Sequence, residues 1–253
     1  MGTEAGITVQ RQGHISTVVL NSPDKLNAMS RAMWRDLKAA VLAIQTDSTT
    51  RCVVVRGAGP HFCAGGDIAE YPDFRFDEAA LRGFHEDEVW GALAAMLACD
   101  VPIVAQIQGV CMGAGVEIAS ACDVRMAAED SKFGAPIARL GFPMAACEAA
   151  LVSGAVGEMT ARAMLLAAEV FPASHMAAQG FLTHVLPPLD LGPACLVLAQ
   201  RIAGLAPQAA RLNKQTLRAL KAGAEIESPY AYAASAEHQE GIAAFIAKRK
   251  PNF

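Results

Sequence analysis

The spacing of apolar residues predicts that the chain begins with two strands and a helix. Residues 7–10 and 15–20 have strand-like composition on either side of a turn at Gly13. Ser30 then precedes four apolar residues that fall on one helix face: Met33, Leu37, Val41 and Ile44. This spacing is close to the helical period, and serine is a favourable N-cap, so a helix is predicted directly after Ser30.

Further along, short apolar runs alternate with helical spacings. Buried strands are predicted at residues 51–56, 102–108, 123–128 and 180–186. Helices are predicted at residues 76–99, 113–122, 145–156, 158–168, 189–205, 207–222 and 229–248. This order of elements predicts an α/β fold with an all-helical C-terminal part.

Composition narrows the class of protein. The chain has 253 residues, of which 53% are hydrophobic and 18% are charged, so it can bury a large core. With a net charge of -4, the chain lacks the excess of basic residues that is typical of nucleic-acid-binding proteins. Charges, prolines and glycines interrupt every apolar run before the roughly 20 residues of a membrane helix. The N-terminal segment also lacks the apolar core of a signal peptide. We therefore expect a soluble, cytoplasmic protein with no nucleic-acid or membrane partner.

The seven cysteines do not suggest a disulfide framework. Their number is odd, no pair has C-x-x-C spacing, and most lie in apolar stretches. A free cysteine in such a stretch usually behaves as a small core residue. We expect reduced, structural thiols, as is usual inside cells.

Two glycine-rich segments contain the candidate chemistry. One is residues 62–68 (Phe-Cys-Ala-Gly-Gly-Asp-Ile), and the other runs from Gln108 to Glu117; both follow predicted strands. Small residues let a ligand approach backbone N–H groups, and a helix start presents unpaired N–H donors. Two such segments facing each other would aim two donors at one oxygen, as in an oxyanion hole. Glu117 would then reach a proton or a water beside it. The alternative is that the glycines only permit tight turns and close packing.

Other chemical motifs are absent from the sequence. Gly113-Ala114-Gly115 lacks the third glycine of a dinucleotide fingerprint, and no phosphate-loop pattern follows. The six histidines show no metal-ligand spacing, so no metal is predicted. The run from His85 to Glu88 is expected to be a solvated helix face. Ser153 lacks the preceding glycine of a nucleophile elbow, and no other nucleophile stands out, which argues against hydrolysis through an acyl-enzyme.

The two glycine-rich segments, by their order along the chain and the distance between them, resemble the corresponding segments of the enoyl-CoA hydratase/isomerase (crotonase) superfamily. Matching motifs cover nearly the whole chain: Asn27-Ala28, Ala64-Gly65-Gly66-Asp67, Pro102 through Asp123, Phe133-Gly134-x-Pro136, and Glu240 through Pro251. The resemblance implies a crotonase-like (ClpP/crotonase) α/β spiral of strand–strand–helix units with a helical C-terminal part. That part mediates trimers in the family, often paired into hexamers. We therefore expect a core at residues 1–190, a helical oligomerisation region at 191–253, and a homotrimer or a dimer of trimers.

The resemblance also implies roles for individual residues. Gly66 and Ala114 would supply the two oxyanion N–H donors, and Glu117 would transfer the proton. The acyl-CoA substrate would be bound along Lys25, Leu26, Ala28, Ala64, Gly65, Asp67, Ile68, Phe245 and Lys248. For three of these a simpler role is open: loop support for Asp67, packing for Phe245 and a solvated charge for Lys248. CoA would arrive with the substrate, so no separate cofactor is expected. Candidate walls of the acyl pocket are Tyr71, Trp90 and Phe142.

One position departs from the family pattern. Hydratases of the family carry a second glutamate directly after Phe-Gly-x-Pro, where this chain has Ile137. Another position that holds an acid in some members falls near Ala145, which is also inert. Because a positioned acid or base contributes about 10²–10⁴-fold in rate, this loss bears on the reaction. Glu148 and Arg139 are candidate substitutes, although both are expected to be surface or structural charges.

Three functions stay open. The first is a lyase that hydrates 2-enoyl-CoA, with Glu117 as the proton-transfer group. The second is another reaction through the same enolate, such as isomerisation, decarboxylation or retro-aldol cleavage, which needs only one such group. The third is an acyl-CoA-binding protein with lost or feeble catalysis, and the retained acid at Glu117 argues against it.

Overall fold

The computed structural model describes residues 5–253, so the first four residues of the N-terminal segment lie outside the description. Its strands are β1 Gly6–Gln12, β2 Ile15–Asn21, β3 Cys52–Gly57, β4 Ile103–Ile107, β5 Val110–Met112, β6 Val124–Ala128, β7 Lys132–Gly134, β8 Val170–Pro172 and β9 His184–Leu186. Its α-helices are α1 Arg31–Thr46, α2 Glu78–Gly83, α3 Trp90–Ala98, α4 Ala114–Ser120, α5 Ala146–Val156, α6 Glu158–Leu166, α7 Ala173–Ala178, α8 Pro188–Ala203, α9 Pro207–Ala222 and α10 Ala236–Ile246.

The strands form two sheets. The larger has the order β1-β2-β3-β4-β6-β9; β1 is antiparallel to β2 and every other pair is parallel. The smaller has the order β5-β7-β8. Its three-residue strands were not predicted, because so short a run leaves no periodic pattern. Successive strand pairs such as β4–β5 and β6–β7 step from one sheet to the other before a helix follows. The predicted α/β spiral of strand–strand–helix units is confirmed.

The inner strands of the larger sheet are buried on both faces, whereas the edge strand β1 is mostly exposed. In β3, Val53 and Val55 pack into the main core, whereas Cys52 and Val54 pack into a second core beneath α8. Alternate residues of a strand point to opposite faces, so a strand covered on both sides is apolar throughout. This explains why the sequence predicted β3 correctly as a buried strand. Six of the seven cysteines are buried free thiols, as expected, and Cys147 is exposed.

One helical prediction is confirmed at its start, and another is only partly correct. α1 begins after Ser30, whose hydroxyl accepts a hydrogen bond from the Met33 N–H, as predicted. The long helix predicted at residues 76–99 is instead α2 and α3 joined by a π-helical turn, Phe84–Val89. Such turns insert an extra residue into the helix and change which side chains face inward. Three residues of this turn, Phe84, His85 and Val89, line the cavity described below.

The C-terminal helices differ in how they attach. α8 packs on the larger sheet through Leu191, Cys195 and Leu198, while α9 is joined to it mainly by polar contacts. The boundary at residue 190 stays a prediction. Among residues 5–253, no single helix is long and apolar enough to span a membrane, although α8 and α9 taken together, bent by 101°, meet the length and composition criteria.

Candidate active site

Backbone pairing brings the two glycine-rich segments side by side. Cys63 and Cys111 form a parallel bridge between them. The Cys63 N–H donates to the Val110 carbonyl at 3.0 Å, and the Met112 N–H donates to the Cys63 carbonyl at 2.9 Å. The end of each segment is therefore held at a fixed position relative to the other, as the sequence argument required.

Glycine is needed at several points of this junction. Gly65 and Gly113 have φ values of 121° and 47°, in the region that side chains rarely adopt. A Cβ atom on Gly115 would lie 2.7 Å from the Cys63 carbonyl oxygen, and one on Gly66 would overlap the hydroxyl of Tyr71. The glycines thus permit close packing, as the simpler interpretation held, and the same packing places both segments against one cavity.

The cavity has a volume of about 300 Å³, within the range of small-molecule sites. Most of its wall is apolar and includes Trp34, Ile68, Phe84, Val89, Met112, Leu140, Phe142 and Met144. Gly66 and Ala114 also line it, and neither N–H donates a hydrogen bond to a residue in the described range. Ala114 is the first residue of α4, where N–H groups lack helical partners. Two unpaired donors therefore adjoin one enclosed space, an arrangement suited to binding an oxygen anion.

Glu117 carries an unpaired carboxyl group in the wall of this cavity. Its side chain has no hydrogen-bond or ion-pair partner among residues 5–253. Burial, and then the nearby charge of Glu148, raise the pKa of Glu117 to about 8. A carboxyl group with such a pKa carries a proton at neutral pH and can donate it.

A histidine and a second glutamate lie at the same wall. Nδ1 of His85, on the π-helical turn, is 3.1 Å from Oε1 of Glu148 on α5. Glu148 is 2% exposed, and His85 lines the cavity. Because a carboxylate only accepts hydrogen bonds, this contact places a proton on Nδ1 and leaves Nε2 of the neutral imidazole free to accept one.

These positions correct two expectations. The run from His85 to Glu88 was predicted to be a solvated helix face, which is wrong for two of its members. His85 is half-buried at the cavity, and Glu88 is buried in ion pairs with Arg31 and Arg35. Glu148 was expected to be a surface or structural charge, and it is buried and paired with His85 rather than at the surface. Four consecutive residues cover more than a full turn of an α-helix, so the run from His85 to Glu88 cannot lie on one solvated face.

Ile137 and Ala145 both line the cavity, so the two positions where acids were sought do lie at the site, and neither brings a titratable group. Arg139 lines it as well, is exposed, and donates to the Ala168 carbonyl at 3.1 Å.

Of the aromatic candidates, Tyr71 and Phe142 line the cavity. Trp90 does not; it lines a neighbouring outer cleft, so its predicted place in the acyl pocket is wrong. His85 and Ala145 line both the cavity and that cleft.

The predicted CoA-binding residues fall into two groups. Ala64, Gly65 and Ile68 line the cavity. The segment that contains Lys25, Leu26 and Ala28 lies against the same loop: the Ala64 N–H donates to the Leu26 carbonyl at 3.0 Å, and Lys25 forms an ion pair with Asp67. Asp67 also caps the following turn by accepting a hydrogen bond from the Ala69 N–H.

The second group is formed by the C-terminal residues Phe245 and Lys248. Both are exposed, and neither lines the cavity of its own chain. Within the described range, no three His, Cys, Asp or Glu side chains come together as a metal site.

Sequence reasoning missed the pairing of His85 with Glu148 and an arginine, Arg75, in the cavity wall. His85 and Glu148 are 63 residues apart and belong to no motif. The only available signal was that Glu148 lies in an otherwise apolar helical segment, Ala146–Val156, which is unusual for an exposed helix.

Comparison with known proteins agrees with this geometry. A sequence profile described as Enoyl-CoA hydratase/isomerase matches residues 10–253. The 2,3-dehydroadipyl-CoA hydratase of Escherichia coli (strain K12) is 32% identical over 98% of both chains. The crotonyl-CoA hydratase of Syntrophomonas wolfei is 29% identical over 98% of this chain and 97% of its own. A crystal structure of an enoyl-CoA hydratase/carnithine racemase from Magnetospirillum magneticum superimposes with a TM-score of 0.94 and 33% identity, covering 99% of this chain and 96% of that one.

These matches span nearly the full length of the chain and include the segments that form the cavity. The chain therefore belongs to the enoyl-CoA hydratase/isomerase family of the crotonase superfamily, whose members are enzymes acting on acyl-CoA thioesters.

Proposed function

We propose that the protein hydrates a 2-enoyl-CoA, adding water across the double bond conjugated to the thioester. The observation that carries this proposal is the unpaired carboxyl group of Glu117, which shares an enclosed cavity with two unpaired backbone donors. An acid beside an anion-binding site is what hydration requires, because the reaction passes through a negatively charged enolate. CoA enters as part of the substrate, and no other cofactor takes part.

The N–H groups of Gly66 and Ala114 hold the thioester oxygen. As water attacks, the electron pair of the double bond moves onto this oxygen, and fixed donors stabilise the charge that develops. Losing one such donor typically costs about 10²–10³ in rate. The two donors belong to segments joined by backbone hydrogen bonds, so they need no rearrangement when the charge appears.

Glu117 is the acid that protonates the α-carbon. Its raised pKa keeps the carboxyl group protonated at neutral pH, and its proton is not committed to another group. Delivery of this proton to the α-carbon returns the electron pair from the oxygen and re-forms the thioester carbonyl. In the reverse reaction the resulting carboxylate removes the same proton.

His85 takes the role left vacant by Ile137. Its Nε2 accepts a proton from water while the water oxygen bonds to the β-carbon, and Glu148 stabilises the imidazolium that forms. A buried carboxylate that fixes the tautomer and orientation of a histidine is an established way to make an effective base. The 3.1 Å contact and the position of His85 at the cavity support this assignment. After product release, the proton on His85 returns to Glu117 through solvent.

A second reaction stays open because Ile137 removes the acid found in family hydratases. Isomerisation, decarboxylation or retro-aldol cleavage would use the same oxyanion site with Glu117 alone. In that case His85 would have no part in proton transfer, and its removal would leave turnover almost unchanged. A binding protein without catalysis would tolerate the loss of both groups.

We further propose that the protein assembles as a homotrimer or a dimer of trimers through its C-terminal region. α9 and α10 expose large apolar side chains, among them Leu217, Leu220, Ile242, Phe245 and Ile246. We propose that Phe245 and Lys248, which do not line the cavity of their own chain, contact the CoA bound to a neighbouring copy.

The test is loss of enoyl-thioester absorbance when purified protein is added to crotonyl-CoA. We expect rapid loss with the wild type and a rate lower by about 10²–10⁴ with Glu117→Gln, because one positioned acid is removed. Glu129→Gln, which alters an exposed carboxylate, is the matched control and should leave the rate unchanged. Absence of turnover despite measurable binding of crotonyl-CoA would exclude simple hydration and favour the other enolate reactions or a binding role.

A further inference from the structure

Arg75 in the cavity wall differs from Arg139, which also lines the cavity but donates to the Ala168 carbonyl: the Arg75 side chain has no hydrogen-bond or ion-pair partner among residues 5–253. Arg75 follows the turn Ile68–Asp73, and its guanidinium carbon lies 4.4 Å from the ring centre of Tyr71 and 3.9 Å from that of Phe142. The two ring centres are 5.9 Å apart, so they meet the guanidinium at roughly a right angle and form a corner around it. Such contacts hold the cation in place and leave N–H donors in the guanidinium plane unused.

No side-chain hydrogen bond or ion pair connects Arg75 to any residue in the range 5–253. The nearby carboxylates are otherwise engaged: Asp67 pairs with Lys25, and Glu148 with His85. Glu117 in the same cavity is a neutral acid at pH 7. A half-buried, unpaired guanidinium in an apolar wall is costly unless a ligand supplies the anion.

We infer that Arg75 binds a carboxylate at the far end of the acyl group, so that the preferred substrates are thioesters of dicarboxylic acids. This inference rests on the proposed function, since it names the substrate class of the same site. Arginine suits the role because its planar fork matches a carboxylate with two parallel hydrogen bonds.

The contacts also limit the length of the acyl chain. Tyr71 bridges the two ends of the cavity: its hydroxyl lies against Gly66, and its ring lies against Arg75. The thioester oxygen at Gly66 and the guanidinium are therefore separated by little more than one tyrosine side chain. A short acyl group with a terminal carboxylate suits this separation, whereas a long fatty acyl chain would carry its end past Arg75.

The experiment compares the binding of two saturated thioesters that cannot be hydrated, adipyl-CoA and hexanoyl-CoA, which differ only in the terminal carboxylate. Calorimetry with the wild type should show adipyl-CoA bound about 10- to 100-fold more tightly, the range expected for a charge-assisted hydrogen-bonded pair. Arg75→Met should abolish this preference while hexanoyl-CoA affinity stays within about threefold, because only the charge pair is lost. Arg75→Lys should restore part of it. Arg162→Met removes an exposed arginine on α6 and is the matched control.

Equal binding of the two thioesters by the wild type would overturn the inference. So would a parallel loss of adipyl-CoA, hexanoyl-CoA and free CoA with Arg75→Met, which would assign Arg75 to the CoA phosphates. Neither result depends on turnover. A clear adipyl preference in a protein inactive on both crotonyl-CoA and 2,3-dehydroadipyl-CoA would instead contradict the proposed reaction and leave the carboxylate site in place.

Discussion

The cavity and the two last helices are built in opposite ways. The cavity is formed by segments distant in sequence, held together by backbone hydrogen bonds and lined mostly by apolar side chains. α9 is attached to the core mainly by charged side chains, such as Lys214 with Asp123 at 2.6 Å and Arg218 with Asp100 at 2.8 Å, and Glu237 of α10 accepts hydrogen bonds from the first turn of α9. Their apolar residues point outward, where Leu217 is 68% and Phe245 is 85% exposed.

The two regions therefore differ in the kind of group that is left without a contact: polar groups in the cavity and apolar groups on the helices. In the cavity, polar groups such as the Glu117 carboxyl lack hydrogen-bond partners among residues 5–253, which is what a ligand site requires. On α9 and α10, apolar groups lack partners on the surface, which is what an interface with another protein copy requires. Changes in the cavity should therefore affect chemistry with little effect on assembly, and changes on the helices should do the reverse.

The largest effect in the cavity beyond that of Glu117 is expected at the His85–Glu148 pair. His85→Asn should lower kcat for crotonyl-CoA by about 10²-fold or more, because it removes the base that accepts the proton from water. Glu148→Gln should have a comparable effect, and the double variant should be no worse than His85→Asn alone, since residues that act as a unit are not additive. Circular dichroism checks that each variant is folded.

The readout that separates catalysis from structure is the alkaline limb of the kcat/KM profile. The charge of Glu148 contributes to the raised pKa of Glu117, so Glu148→Gln should move this limb to lower pH. Full activity in His85→Asn would contradict the assignment of the base and favour a reaction with Glu117 alone.

A smaller effect is expected on stability as a function of pH. The pKa of Glu117 is raised from an ordinary 4.5 to about 8, so the folded state holds this proton more tightly than the unfolded state does. The resulting stabilisation is fully present below about pH 4.5 and is lost as pH rises through about 8. Glu117→Gln stays neutral, so relative to the wild type it should gain about 1–4 kcal/mol in free energy of unfolding between pH 5 and pH 9.

Urea unfolding of both proteins at the two pH values measures this difference, provided that the oligomeric state is the same in all samples. Glu129→Gln, which changes an exposed carboxylate, should show almost no difference. A Glu117→Gln variant whose stability follows the wild type at both pH values would show that the carboxyl group is not buried as described.

The smallest effect on chemistry is expected from the C-terminal surface. Replacing Leu217 and Leu220 together by glutamate places charge on the outward face of α9 and should shift the protein to a smaller species in light scattering. The fold should be retained, because substitutions of exposed side chains usually change stability by less than about 0.5 kcal/mol each. Leu42→Glu on α1, where the side chain is 50% exposed, is the control. An unchanged mass would show that this face of α9 is not the interface.

The sequence predicted the elements whose signals are local. The Ser30 cap, the buried strand β3 and the glycine turns each depend on neighbours within a few residues, and all appear in the structure. The contacts that complete the site are not local. His85 meets Glu148 across 63 residues, and Arg75 meets Phe142 only because separate loops converge on one cavity. The π-helical turn, which contains His85 at the cavity and is followed by Trp90 at the outer cleft, is likewise not indicated by any regular helical spacing in the sequence.

His85 lines two openings to the solvent, the cavity that contains Glu117 and the outer cleft beside Arg82 and Glu86. A thioester that fills the cavity mouth would therefore not isolate the imidazole from bulk solvent. A proton that His85 takes from water can therefore exchange through the cleft while the thioester is still bound. In deuterated solvent the imidazole would take up label by this route, whereas the α-carbon would still receive only the proton that Glu117 carries.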